Sequence, residues 1–188
     1  GHAEATHLFA APGVYGVTVR VSDAEGDVGE GRFHYVVICD PNGGAVAGAG
    51  WIELPDDDRG GRRRSRNRGF FEFNARYQRG RPAPVGQAFF RADELRFQAT
   101  GVEWLVVAGN RAQVRGTGKL NGQGHYGFLL TASNGKRHSR EADEFRIKIW
   151  DPANGTVVYD NRPGTSDDLD EADPQPIGGG EIVLQRGK

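Results

Sequence analysis

The sequence predicts an all-β chain, an antiparallel β-sandwich or barrel-like domain with a further β-hairpin at its N-terminus. Three observations carry the prediction. In Asp143-Glu-Phe-Arg-Ile-Lys-Ile-Trp150, Phe145, Ile147 and Ile149 fall on one side and Arg146 and Lys148 on the other. That is period two, the mark of a strand with one dry and one wet face. Turn chemistry in Asp151-Pro-Ala-Asn-Gly155 is followed at once by the β-rich run Thr156-Val-Val-Tyr-Asp160, which makes a hairpin. Finally, 29 of 188 residues are glycine, about twice the usual ~7%. Glycine supplies positive φ without steric cost, so this abundance suits a chain with many reversals.

Two parts are expected, residues 1–40 and residues 41–188. In the first, Val14-Tyr-Gly-Val-Thr-Val-Arg-Val21 and Arg32-Phe-His-Tyr-Val-Val-Ile38 read as strands flanking the turn Asp23-Ala-Glu-Gly-Asp27. In the second, strands are expected over residues 48–54, 69–77, 87–90, 94–99, 102–108, 111–120 and 124–132. The hairpin at 143–160 and a last strand at 180–185 follow. Phe71, Phe73 and Ala75 alternate with Glu72, Asn74 and Arg76, and the turn signals Asn121-Gly122 and Asn134-Gly135 sit between runs. Short strands at this spacing, without a convincing helix, argue for a sandwich or barrel.

Two stretches resemble known families. His7-Leu-Phe9, Ala11-Pro-Gly13, Val14 to Val21 and Asp23 to Asp27 resemble the C-terminal half of a PKD domain, an immunoglobulin-like sandwich of extracellular proteins. Two strands alone are marginal in water, so they are expected to pack on the larger domain or pair with another chain. Further on, Gly50-Trp51-Ile52, Arg76-Tyr77, Pro84-Val-Gly86, Leu95-Arg-Phe97, Trp104-Leu-Val-Val107, Gly116-Thr-Gly118, Asp143 to Trp150, Val158-Tyr-Asp-Asn161 and Gly178-Gly-Gly180 occur in one order. That order is similar to the post-COAP type of bacterial secreted module. The resemblance covers roughly 140 residues. It implies an extracellular β module of a secreted or surface protein and brings no catalytic set.

Composition narrows the function classes. A formal net charge of −1 gives no global attraction to nucleic acid or membrane. No apolar run approaches the ~18 residues of a spanning helix, and no signal peptide is visible. The chain has no Met and is expected to be an excised piece or mature fragment, with Gly1-His2 as a cloning remnant. Cys39 is alone, which excludes an internal disulfide and a Cys-based zinc site.

Candidate chemistry is thin. The run Asp167-Asp-Leu-Asp-Glu-Ala-Asp173 offers five carboxylates in seven residues, and such hard oxygens suit Ca2+. Asp167, Asp168, Asp170 and Asp173 are therefore calcium candidates. The spacing is not that of an EF-hand, and a solvated charge run is the plainer reading. Asp143, Asp151 and Asp160 are read as turn and edge residues. In Arg62-Arg-Arg-Ser-Arg-Asn-Arg68, Arg62, Arg63 and Arg64 could meet an anionic polymer. The alternative is a solvated loop neutralised by Asp56-Asp-Asp58. The absence of interleaved aromatics weakens a nucleic-acid reading.

Trp51 and Trp104 adjoin apolar segments and are expected in the core, whereas Trp150, at a strand end, is better placed for exposure. Trp150 and Tyr159 are the candidates for stacking on a sugar. His7, His34, His125 and His138 show no metal-ligand spacing, and no Ser lies in Gly-x-Ser-x-Gly. The expected function is a non-catalytic extracellular interaction or spacer module, with extracellular polysaccharide or another surface protein as its partner. A carbohydrate-binding module is the alternative. A glycosidase with an Asp/Glu pair stands third, because carboxylate separation is a matter of geometry.

Overall fold

The computed structural model describes residues 4–9, 13–38, 44–55, 67–81, 83–135 and 142–186; the side chains of residues 13, 14, 34 and 35 are outside that description. It is all-β, with its large antiparallel sheet curled into a half-barrel. The strands are β1 (Gly13–Ser22), β2 (Val28–Ile38), β3 (Ala45–Glu53), β4 (Arg68–Arg76), β5 (Val85–Ala92) and β6 (Leu95–Ala108). They continue as β7 (Arg111–Leu120), β8 (Gln123–Ser133), β9 (Glu144–Trp150), β10 (Val157–Asp160), β11 (Gln175–Pro176) and β12 (Gly179–Gln185). Among the described residues no helix is long and apolar enough to cross a membrane.

From β3 to β10 each strand pairs antiparallel with the next, and β12 returns to lie beside β3. The runs expected at 94–99 and 102–108 are one strand, β6, irregular between Ala99 and Gly101 and again between Val102 and Trp104. Bulges of this kind bend a strand and raise its local twist. The short β11 carries no alternation of its own, since its Gln-Pro pairs β9 only through Phe145 and Glu144.

The core lies inside the curl. Phe71 on β4 stacks on Phe145 on β9 with ring centroids 4.0 Å apart, although four strands intervene. In a flat sheet those positions would be about 24 Å apart, at ~4.8 Å per strand. Phe73 and Phe90 gather on the same ring, and Phe97 meets Phe128 nearby. Phe145, Ile147 and Ile149 face inward and are fully buried, the face their alternation predicts.

Residues 175–185 tie the two ends of the sheet together. Gln175 and Pro176 pair with β9, the Ile177 amide donates to the Asp143 carbonyl, and the Gly178 amide donates to the Trp51 carbonyl at 2.8 Å. From Gly179 the chain runs beside β3. Gly178 lies flat against the Trp51 ring, where any Cβ would collide, and Gly180 takes φ +117°. Both positions require glycine.

The β1–β2 hairpin is a separate two-stranded sheet. Val37 packs against Val106 and Leu169, beside Trp104 and Ala108, on the outer face of the large sheet. Val17, Val19, Val21 and Phe33 share one face of the hairpin, and Val19, Val21 and Phe33 remain exposed. Arg20 and Glu30 form an exposed ion pair on the opposite face.

Candidate functional site

The outer face of the sheet divides into a covered half and an open half. Over β7, β8 and β9 it is covered by residues 161–174, and the expected wet face is corrected there: Arg146 is 1% exposed. Its guanidinium donates through Nε to Asp160 Oδ1 (3.0 Å) and through Nη2 to Asp160 Oδ2 (2.8 Å), a bidentate fork. The same Nη2 lies 2.9 Å from Asp167 Oδ1, and Nη1 donates to the Ser166 carbonyl at 2.7 Å. Lys148 Nζ meets Asp167 Oδ2 at 2.5 Å. Burial alone would lower the Arg146 pKa, but Asp160 and then Asp167 more than offset it and hold the group above its ordinary value.

Other outward side chains complete this clamp. Gln113 donates to Thr131 Oγ1 (3.1 Å) and to the Asp167 carbonyl (2.8 Å). Arg111 donates to the carbonyls of Leu169, Asp170 and Ala172, while Leu169 and Ala172 are buried. The covering segment is thus held by polar braces around two apolar anchors.

Within the acidic run, Asp167 is engaged by Arg146 and Lys148, and Asp173 meets Arg162. The Asp168 carbonyl accepts the amides of Glu171 and Ala172, and the Asp170 carbonyl accepts Arg111. Among the described residues no three His, Cys, Asp or Glu side chains converge as a metal site would. The other acids close turns and seams. Asp143 accepts the amides of Gly135 (2.8 Å) and Ile182 (2.6 Å), and Asp151 accepts the Ala153 amide (2.8 Å). Asn161 accepts the Ile147 amide and donates to the Phe145 carbonyl, extending the edge of β9 beyond β10.

The two stacking candidates lie on opposite faces. Tyr159 is paired with Ile149 and turns inward, 4.9 Å from Phe90. Trp150 turns outward, half-buried, with the Arg115 guanidinium 5.0 Å from its ring centroid. They cannot form one platform. Arg62, Arg63 and Arg64 lie outside the described residues. Trp51 and Trp104 are not in the interior, a second correction. They alternate with Ile52 and Leu105, which take the inward positions, and both indoles are half-buried on the outer face.

Burial, with a smaller contribution from Asp160, raises the Tyr159 pKa far above its ordinary value. A raised folded-state pKa contributes stability that is fully present below the unfolded value of about 10 and is lost as pH rises beyond it. Urea midpoints at pH 8 and pH 11 should therefore fall further for the wild type than for Tyr159→Phe. Equal falls would show that Tyr159 does not govern alkaline unfolding.

The open half lies over β12, β3, β4, β5 and the start of β6. The register sets Trp51, Phe70, Arg91 and Arg96 in one row across four strands, and Glu72, Phe89 and Gln98 in the next. Phe70 is 43% and Phe89 39% exposed. Arg68 lies 3.7 Å over the Trp51 ring and Arg91 5.2 Å from the Phe70 ring centroid. Phe70, Glu72, Phe89, Arg91, Arg96 and Gln98 line a depression of about 900 Å³. These residues were not singled out from sequence, yet a signal was present. Each of Phe70-Phe71 and Phe89-Phe90 must put one ring on each face of its strand.

Compared with known proteins, the chain finds no matching family model, no matching curated protein and no matching solved structure.

Proposed function

We propose that the chain is a non-catalytic extracellular interaction or spacer module of a larger secreted or surface protein. The observation that carries this reading is the division of the outer face. Arg146, Lys148, Asp160 and Asp167 are consumed in bracing the covering segment over β7–β9, while two large aromatics stay exposed over β4 and β5. Exposed aromatic area rimmed by polar groups is the usual dress of a binding surface. The resemblance to post-COAP and PKD-type modules supports placing it on a bacterial surface or in the medium. A carbohydrate-binding role is the second reading, favoured by the same face. Sugar rings present C–H faces to aromatics and hydroxyls to planar polar groups such as Glu72 and Gln98.

The expected result is that an antibody against the chain labels intact, unpermeabilised bacteria carrying the parent protein, and that protease shaving removes the signal. Labelling that requires permeabilisation would overturn the reading.

A further inference from the structure

We propose that the open face of β3, β4, β5 and β6 binds an acidic, uronate-type polysaccharide through Arg91, Arg96 and Phe89, flanked by Trp51, Phe70 and Arg68. This rests on the extracellular reading above and names the partner.

Charge is the first argument. Arg91 and Arg96 stand directly opposite each other on neighbouring strands and point to the same side. Like charges so placed repel, and among the described residues no carboxylate forms an ion pair with either. Arg68, one strand away, has a buried Nε without a hydrogen-bond partner. A carboxylate set between Arg91 and Arg96 relieves that repulsion and can be held in a bidentate manner.

Preorganisation is the second. Arg68 over Trp51 and Arg91 near Phe70 are guanidinium–aromatic contacts, which fix the donor forks before a ligand arrives. The row from Trp51 to Arg96 spans about 14 Å at ~4.8 Å per strand, a track rather than a point site.

The third argument chooses the polymer. Glu72, Asp93 and Glu94 line the same depression as the arginines. Duplex DNA carries a charge every ~1.7 Å and would be repelled by them. A chain with one carboxylate per sugar can donate hydroxyls to these acids while its carboxylates meet the arginines. Stacked bases also need free ring faces, and Arg68 already lies over the Trp51 ring. Phe89, with Glu72 and Gln98 on either side in the register, remains to meet a sugar's C–H face.

The test is affinity electrophoresis and calorimetry of the whole chain with polygalacturonate in calcium-free buffer, with dextran and a single-stranded oligonucleotide as controls. Binding to polygalacturonate is expected, with no binding to dextran and weaker binding to the oligonucleotide. Arg91→Gln with Arg96→Gln should weaken it by about tenfold or more, the loss of charge-assisted contacts. Phe89→Ala should weaken it as well, and the melting temperature of both variants should stay within about 2 °C of the wild-type value. Absence of binding overturns the proposal, as does equal affinity for dextran or oligonucleotide. Undiminished binding by the double variant would assign the polyanion affinity to Arg62, Arg63 and Arg64 instead and overturn it equally. Surface labelling of intact cells with no polygalacturonate binding would sink this inference alone and leave the extracellular module standing.

Discussion

Phe145→Ala is expected to destabilise the chain by about 3–5 kcal/mol, the range for emptying a fully buried aromatic position. The ring has no exposed surface and lies 4.0 Å from Phe71, 5.9 Å from Phe73 and 6.2 Å from Phe90. Those partners belong to β4 and β5, on the far side of the curl, so the alanine leaves a cavity where the sheet meets itself. Phe145→Leu keeps most of the volume and should cost less, about 1.5 kcal/mol. On the exposed face, Phe89→Ala should shift stability by no more than about 0.5 kcal/mol. Urea unfolding followed by circular dichroism measures all three, read as midpoints at constant m-value. Equal losses at Phe145 and Phe89 would mean that the inward and outward assignments of β5 and β9 are mistaken.

That comparison shows which parts of the fold were legible in the sequence. Alternation is a local property, so Phe71, Phe73, Ile147 and Ile149 could be assigned to one face from their own segments. The curl is not local. It depends on a stack between Phe71 and Phe145, positions far apart in the chain, and no window of sequence contains both. The same limit explains Arg146. Period two places it opposite Phe145, but it cannot say whether water or protein lies on that side. The cover is the stretch that composition reads as a solvated acidic run. Its concealed signal is the pair Leu169 and Ala172, apolar residues three apart among carboxylates and both buried. Trp51 departs from expectation for a related reason: adjoining an apolar segment reads as core, while strand parity gives the inward position to Ile52. Parity outranks adjacency, because a regular strand turns consecutive side chains to opposite faces. Applied to the Phe-Phe pairs, that rule would have found Phe70 and Phe89.

Arg146→Ala should be as damaging as the loss of a core aromatic, by a different route. Removing the guanidinium leaves Asp160, whose side chain is 6% exposed, without its cation, and deprives the Ser166 carbonyl of its donor. Breaking a buried pair by deleting one partner costs about 3–5 kcal/mol, because the remaining charge stays desolvated. Arg146→Lys restores the charge but not the two-pronged fork to Asp160, so it should recover only part of the loss. Arg146→Met combined with Asp160→Leu removes both charges and fills the space, and should come closer to wild type than Arg146→Ala does. Lys148 still holds Asp167 in that variant. Arg20→Ala provides the contrast. Its ion pair with Glu30 has side chains 70% and 49% exposed, and such pairs contribute about 0–1 kcal/mol. Urea midpoints rank the set, and hydrogen exchange of the amides over 161–174 shows whether the cover lifts before the half-barrel unfolds. If Arg146→Ala and Arg20→Ala shift stability alike, the buried fork carries no more than a surface pair, and some other contact must hold the segment over β7–β9.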